Sequence, residues 1–368
     1  MLRHLLTALC LTAAAGIAAC ASFGQTAGKS GLTEQDRSTM LRRAQVWSKT
    51  DVASLDIRRG PQARGAFPPG DTVTCDYVDR KLGGRTPKFS CAISPDDEVK
   101  VKYGLDNGEV YGEVAGTRLL WALGFGADRM YPVRIVCHGC PSTITGSGVT
   151  RTRRELILEP AVIERKAPGH EIATREGEGW AWKELDLVDE AAGGAPLAHR
   201  DALKLLAVIM QHADSKPDQQ RLVCLDELQP GRGGEACGRP FMLINDLGVT
   251  FGRSDIFNRD TKGSVNFERW ASAPVWKDKD GCVGNLAKSL TGTLRDPVIS
   301  EPGRQFLADL LAQLSDAQIH DLFDVSRVTF RPNPEGDKAA AVASIDQWVD
   351  AFKKKRDEVT SRRCAATH

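Results

Sequence analysis

Charge of one sign is what this 368-residue sequence most plainly lacks: 49 Lys and Arg stand against 48 Asp and Glu, a net charge of +1. Without a basic excess there is no electrostatic footprint for a nucleic-acid backbone, so nucleic acid is not expected as a partner. Long apolar runs are missing after the first stretch of the chain. No later segment approaches the roughly 20 apolar residues of a membrane-spanning helix. Internal repeats and long low-complexity tracts are missing as well. What remains after the N-terminal stretch, about 350 residues, is long enough for two lobes or domains.

What is present begins at the N-terminus. Arg3 and His4 give a short basic start, and an apolar run follows from Leu5 to Ala19. That run is short for a span but has the form of a signal-peptide core. It ends in Ile17-Ala18-Ala19-Cys20, small residues before a cysteine, which resembles the lipobox of bacterial lipoproteins. The resemblance implies a signal peptide over 1–19, cleavage before Cys20, and acyl chains such as palmitate on Cys20 that attach the protein to a membrane. Ala21 is not Asp, which by analogy with enterobacterial sorting favours the outer membrane, facing the periplasm. An ordinary signal peptide cut after Ala21 is the alternative, since Ala19-Cys20-Ala21 also fits a small-x-small site.

Cysteine usage agrees with export. Of ten cysteines, Cys10 leaves with the signal and Cys20 carries lipid. Cys75, Cys91, Cys137, Cys140, Cys224, Cys237, Cys282 and Cys364 remain, an even number that reads as disulfides in an oxidising compartment. Local spacing suggests Cys75–Cys91, Cys137–Cys140 and Cys224–Cys237, which leaves Cys282–Cys364 by elimination. Many other pairings are open to eight cysteines. The Cys137-His138-Gly139-Cys140 motif also fits a redox pair or half a zinc site. No second half follows at ribbon spacing, and the pair precedes Pro141 in an expected loop rather than at a helix start. A structural short-loop disulfide is favoured over redox or zinc chemistry.

Hydrophobic spacing orders the rest. Residues 20–70 read as anchor, tether and a helix capped by Thr33, with Met40, Leu41, Ala44 and Trp47 at helical spacing. Residues 59–71, rich in Gly and Pro, read as a loop. Val73 to Val78 and Lys88 to Ile93 read as a hairpin around Gly83-Gly84, and Glu98 to Tyr103 as a third strand. A helix from Glu113 to Leu123 follows, then strands over Tyr131–Val136 and Glu155–Glu159. Beyond about residue 170 the pattern is mainly helical, with Asp201 to Gln211, Gly303 to Ala312 and Ala340 to Lys355 as clear stretches.

Four charged positions fall in a telling order. Lys102 ends the third strand, and Glu113 lies on the next helix. The apolar helix over 201–211 runs into His212-Ala213-Asp214-Ser215-Lys216-Pro217-Asp218-Gln219-Gln220. A strand, Phe241 to Ile244, delivers Asn245-Asp246-Leu247-Gly248, with Phe251-Gly252 beyond. A nucleoside triphosphate concentrates negative charge. A strand Lys neutralises it, a helix Glu holds that Lys, a loop carboxylate accepts a hydroxyl proton, and a second carboxylate holds Mg²⁺ against the phosphates. A hairpin of 222–225 with 241–244, closed by Cys224–Cys237, would bring the two carboxylates together.

The order resembles that of atypical kinases. Glu113-Val114-Ala115 and Arg118 to Phe125 look like the Lys-partner helix of the secretory-pathway kinases of the Golgi. His212-Ala213-Asp214 with Gln219 resembles the catalytic loop shared by those enzymes, HipA-type toxin kinases and type II phosphatidylinositol 4-kinases. Asp246-Leu247-Gly248 resembles their metal-binding segment. The similarity covers roughly 73–255, and Gln219 departs from the Asn common at its position. It implies an α+β, two-lobed protein-kinase-like fold: a small antiparallel-sheet N-lobe over 71–168 and a larger, mainly helical C-lobe over 169–368. It also implies catalytic roles for Asp214, Lys102 and Glu113, nucleotide contacts from Lys102, Gly83, Gly84 and Gln219, and metal ligation by Asp246 and Gln219. ATP or another nucleotide with Mg or Mn is the implied cofactor, and a protein or glycan the implied acceptor.

Each residue also has a plainer reading. Lys100 is an equally good Lys two positions away on the same strand face. Glu113 reads equally as a surface helix residue, His212 and Asp214 as a helix end and turn, and Asp246 as β-turn chemistry. The functional expectation is therefore an envelope lipoprotein with a kinase-like phosphotransferase domain. The first alternative is a catalytically inactive kinase-like binding or scaffolding lipoprotein, because a periplasm is not expected to hold much ATP. The second is a redox or zinc protein using Cys137 and Cys140.

Overall fold

The computed structural model describes residues 32–365 apart from 85, 106, 142–143, 146–147, 150–152, 176, 232–233, 253–265, 279–280 and 331–341. The signal-peptide and Cys20 expectations lie outside these residues. Among the described residues no helix is long and apolar enough to cross a membrane.

The fold is α+β. Helix α1 (Glu34–Arg42) starts at Thr33, whose hydroxyl accepts the Asp36 N–H while the Asp36 carboxylate accepts the Thr33 N–H. It is shorter than the spacing suggests. Trp47 belongs to an extended segment that bridges to Phe125 instead. Strands β1 (Thr72–Val78), β2 (Lys88–Ser94) and β3 (Asp97–Tyr103) follow as an antiparallel series. Helix α2 (Glu109–Ala122) crosses to β4 (Arg129–Pro141) and β5 (Arg153–Arg165).

The expected antiparallel sheet closes on itself. In the order β1-β2-β3-β5-β4 the strands form a barrel, sealed by a parallel pairing of β1 with β4 from Thr72↔Arg134 to Asp76↔His138. Strands β4 and β5 are longer than periodicity indicates. Register shifts at Val133/Ile135 and Cys137/Cys140 bend the pair, as bulges do, and allow closure. The Cys137–Cys140 motif, expected in a loop, thus lies within β4. Val73, Cys75, Phe89, Cys91, Val99, Val101, Tyr131 and Ile135 fill the barrel. Cys75 and Cys137 are register partners, so the Cys75–Cys91 and Cys137–Cys140 disulfides lie side by side there.

The second half holds α3 (Leu197–Met210), α4 (Phe267–Ser272), α5 (Glu301–Leu311), α6 (Asp316–Val325) and α7 (Ile345–Ser361). It also holds a small sheet of β6 (His170–Glu171), β7 (Gln220–Cys224) and β8 (Pro240–Ile244), in the order β8-β7-β6. The hairpin of β7 and β8 pairs Leu222 with Met242 and is closed by Cys224–Cys237. Cys282–Cys364 completes the four expected disulfides.

The core does not divide at the expected lobe boundary. Helix α2 buries twelve of its fourteen residues, the charged Glu113 and Arg118 among them, so it is covered on nearly every side. Val110, Val114, Leu119 and Leu120 share one continuous core with α3, α5, α6 and α7, while the barrel interior is a separate cluster. Gly116 lets the loop after β8 pack on this helix: a Cβ there would sit 3.1 Å from the Leu247 side chain.

Candidate active site

The alternation of β3 positions the first charge. Val99 and Val101 face the barrel interior, so Lys100 and Lys102 face outward, toward α2. Lys102 is 1% exposed. Its Nζ donates to Glu113 Oε1 and lies 3.0 Å from Glu109 Oε2 and 4.0 Å from Glu164 Oε2. Glu109 and Glu113 are one helical turn apart, where like charges repel unless a cation lies between them. Lys100, the rival candidate, instead pairs with Glu164 at 2.5 Å and is about one-third exposed.

The second charge arrives on the β7–β8 hairpin. Strand β8 ends at Ile244, and Asp246 accepts the Gly248 N–H on Oδ1 at 3.0 Å. A Cβ on Gly248 would lie 2.6 Å from Glu109 Cγ and 3.1 Å from Asp246 Oδ1, so only glycine admits both carboxylates here. The loop beyond is pinned to the core. Thr250 donates to Gly112 O on α2 at 3.3 Å, and the Phe251 N–H to Met210 O at 2.7 Å. Phe251 takes φ 54° and packs among Trp270, Phe323 and Trp348.

The third charge follows α3. Gln211 adopts φ 55° and ends the helix, and the chain turns through His212 to Gln219. Asp214 Oδ2 accepts Gln219 Nε2 at 2.8 Å, and Asp214 Oδ1 accepts the Ser289 hydroxyl at 2.8 Å. The main-chain oxygen of Gln219 accepts the N–H groups of Asn245 and Asp246, at 3.0 and 3.3 Å. Gln219 thus ties the Asp214 loop to the Asp246 loop. Lys102, Glu113 and Asp246 form one charged cluster, and Asp214 joins it through Gln219.

The electrostatics follow from crowding. Burial works to lower the Lys102 pKa, but Asp246, Glu109, Glu113 and Glu164 outweigh it and hold the ammonium charged, well above its ordinary value. Burial pushes the Glu113 carboxyl well up, against the pull of Lys102 and with the push of Asp246 and Glu109. Asp246 also feels burial, although part of its surface is exposed. Lys102, the Gly248 amide and a hydrogen bond from Glu113 nevertheless hold it well below the carboxylate range. Of this pair, Glu113 is pushed toward the neutral form and Asp246 is held toward the charged one. Burial lowers His212 to about 4 against the opposing effect of Asp246 and Asp214, and among the described residues neither ring nitrogen has a hydrogen-bond partner.

Gly84, with φ 88°, lies against Lys88: a Cβ there would be 2.6 Å from Lys88 Nζ. Lys88 is the register partner of Lys102. Burial, then Lys102, lowers the Lys88 pKa. Gly83 stands in open space. The same hairpin loop sends the Thr86 hydroxyl to Glu109 Oε2 at 2.9 Å. Cys137 and Cys140 are joined and buried, and His138 is half-exposed, 3.2 Å from Glu155 and 3.8 Å from Asp76. Among the described residues no group of three or more His, Cys, Asp or Glu is arranged to hold a metal ion by itself. Joined in a disulfide, the Cys137 and Cys140 sulfurs are not available as zinc ligands.

The sequence reading missed Glu109, Glu164, Lys88 and Ser289. Glu109 carried a signal, its spacing of four from Glu113. Glu164 and Ser289 carried none, because only strand register and a long-range loop contact bring them in.

No family model matches the chain, and no curated protein matches it in sequence. Among solved structures, the crystal structure of a Helicobacter pylori proinflammatory kinase, CtkA, is similar over 80% of this chain and 95% of that chain, at 12% identity and a TM-score of 0.38.

Proposed function

We propose that this chain is a nucleotide-dependent phosphotransferase with a kinase-like domain, anchored in the bacterial envelope through lipid on Cys20. One observation carries the reading. A buried strand lysine, Lys102, is clamped by a helix glutamate, Glu113, beside Asp246, a loop carboxylate 144 positions away in the chain. A cluster this costly to bury is hard to explain as packing, since charged groups in the interior rarely add stability over apolar ones. Perturbed titratable groups from distant segments are the usual mark of a functional site.

In this reading Lys102 meets the nucleotide phosphates and Glu113 orients it. The Gly83-Gly84 loop covers them, and Asp214 accepts the proton of an acceptor hydroxyl on a protein or glycan. Asp246 and Gln219 suit Mg²⁺ or Mn²⁺. Gln219 Oε1 and Asn245 Oδ1 are buried oxygens without hydrogen-bond partners among the described residues, close to the Asp246 carboxylate in the chain or through the backbone. Hard oxygen donors, one or two carboxylates plus phosphate oxygens, are what Mg²⁺ prefers. When bound, the cation would neutralise charge on the phosphates. Four disulfides support a site of folding outside the cytoplasm.

A second reading, a catalytically silent kinase-like binding or scaffolding lipoprotein, is favoured by the saturation of Lys102 with the protein's own carboxylates. Titration of the purified protein with ATP, with and without Mg²⁺ or Mn²⁺, separates the two. Metal-dependent binding that is lost in Asp246→Ala supports the enzyme. A folded protein that binds no nucleotide under any of these conditions overturns it and leaves the scaffold.

A further inference from the structure

Ser289 stands where an acceptor hydroxyl would stand. Asp214 has two carboxylate oxygens, and Gln219 occupies one. The Ser289 hydroxyl donates to the other at 2.8 Å. The contact is built rather than incidental. The Ser289 N–H donates to Ala213 O at 2.8 Å, and the Thr293 N–H and hydroxyl donate to Ser215 O at 3.0 and 2.8 Å. The Leu294 N–H donates to Ser215 Oγ at 3.0 Å. The segment 289–294 is thereby stitched to both residues flanking Asp214.

The place is open and bordered by cations. Asp214 and Ser289 are half-buried, and the neighbouring Leu290 is 80% exposed. Lys216 Nζ lies 3.8 Å from Asp214 Oδ2, and Lys288 Nζ lies 3.5 Å from the main-chain oxygens of Ser289 and Leu290. A base, a hydroxyl bonded to it and two nearby ammonium groups are the parts that receive a phosphoryl group and then hold it.

Given the phosphotransferase reading, on which this inference rests, we propose that Ser289 is an intramolecular phosphoacceptor. Asp214 takes the proton from Ser289 Oγ. A bond forms between Oγ and the terminal phosphorus of a nucleoside triphosphate, the bond from that phosphorus to its bridging oxygen breaks, and the nucleoside diphosphate leaves. The proton passes from Asp214 to solvent, and nothing is oxidised or reduced. The phosphoserine carries a charge of about −1.5 to −2 at neutral pH. Beside Asp214 that charge repels the carboxylate and pairs with Lys216 and Lys288. It also fills the position a further acceptor needs. Modification of Ser289 is therefore self-limiting and closes the site to other acceptors.

The test uses the full mature chain, first treated with a phosphatase and then incubated with ATP and Mg²⁺ or Mn²⁺. Intact-mass measurement and peptide mapping should find one phosphoryl group, on Ser289, added at a rate independent of protein concentration. Ser289→Thr should keep modification at position 289 and Ser289→Ala should lose it. Asp214→Asn should bind nucleotide yet remain unmodified. Nucleotide turnover with an unmodified Ser289 would overturn the inference and leave the phosphotransferase reading standing, the serine then serving only to position Asp214. A rate that rises with protein concentration also overturns it. Absence of nucleotide binding in the parallel titration removes the underlying reading, and this inference with it.

Discussion

Glu109 Oε2 lies 3.0 Å from Lys102 Nζ and accepts the Thr86 hydroxyl at 2.9 Å, so one carboxylate oxygen joins the third strand, α2 and the glycine hairpin. Of the carboxylates that contact Lys102 it is the most exposed, at 16% against 0% for Glu113 and 5% for Glu164. A triphosphate approaching Lys102 meets Glu109 first. Glu109→Gln removes an anion from that path while keeping the shape. We expect nucleotide affinity to rise about fivefold, the equivalent of roughly 1 kcal/mol for a partly exposed charge. Unchanged or weaker binding in calorimetric titration would show that Glu109 does not compete with phosphate.

Lys102 also holds the site together. Lys102→Met leaves Glu109, Glu113, Glu164 and Asp246 facing one another without their common cation. Removing one partner of a buried charged pair costs about 3–5 kcal/mol. Urea unfolding of the variant at neutral pH should report a loss of that order. The deficit should shrink on acidification, as the stranded carboxylates take up protons. A deficit that does not respond to pH would contradict the carboxylate cluster.

His212 imposes its own pH dependence. Burial lowers its folded-state pKa from 6.5 to about 4, so between those values the unfolded chain binds a proton that the folded chain does not. Stability contributed by the neutral ring is complete above 6.5 and is lost as pH falls toward 4. The shift corresponds to roughly 3 kcal/mol once both states are protonated. His212→Phe should flatten that limb of a stability-against-pH curve. An unchanged slope between pH 6.5 and 4 would place the acid sensitivity elsewhere.

The disulfides should rank by the chain they enclose. Cys282–Cys364 spans 82 positions and Cys224–Cys237 spans 13. In the chain-entropy account these loops correspond to about 4.5 and about 3 kcal/mol. Pairwise replacement by alanine, followed by guanidinium unfolding, should show the larger loss for the longer loop. The opposite order would mean that native contacts of the hairpin outweigh loop closure.

Membrane attachment rests on Cys20. We expect Cys20→Ser to leave an uncleaved, unlipidated precursor that no longer partitions with membranes. Processing and membrane association like those of the parent would refute the lipobox reading.

Much of the candidate site was legible because its chemistry is local. Lys102 ends a short alternating strand, Asp214 follows an apolar helix, and Asp246 follows a strand whose partner is set by a nearby cysteine pair. The hairpin of β7 and β8 could be read for that reason, with Leu222 opposite Met242. Glu164 could not be read, because it reaches Lys102 only through the register of β3 on β5. Ser289 lies 75 positions from Asp214, and no periodicity links them.

By itself the sequence determined most element types and the order of the charged residues, and it suggested the three local cysteine pairs, with Cys282–Cys364 left by elimination, since hydrophobic spacing and short loop closures act along the chain. Tertiary structure decided that the sheet closes through a parallel β1–β4 pair, because bulges in two long strands set the curvature. It decided that α2 shares its core with the C-terminal helices, because α2 is buried on nearly every side, and that Gly116 lets Leu247 of the loop after β8 approach. It also decided between two lysines of one strand face. Lys102 lies under α2, where only a carboxylate cage makes a buried ammonium tolerable, while Lys100 remains in contact with solvent.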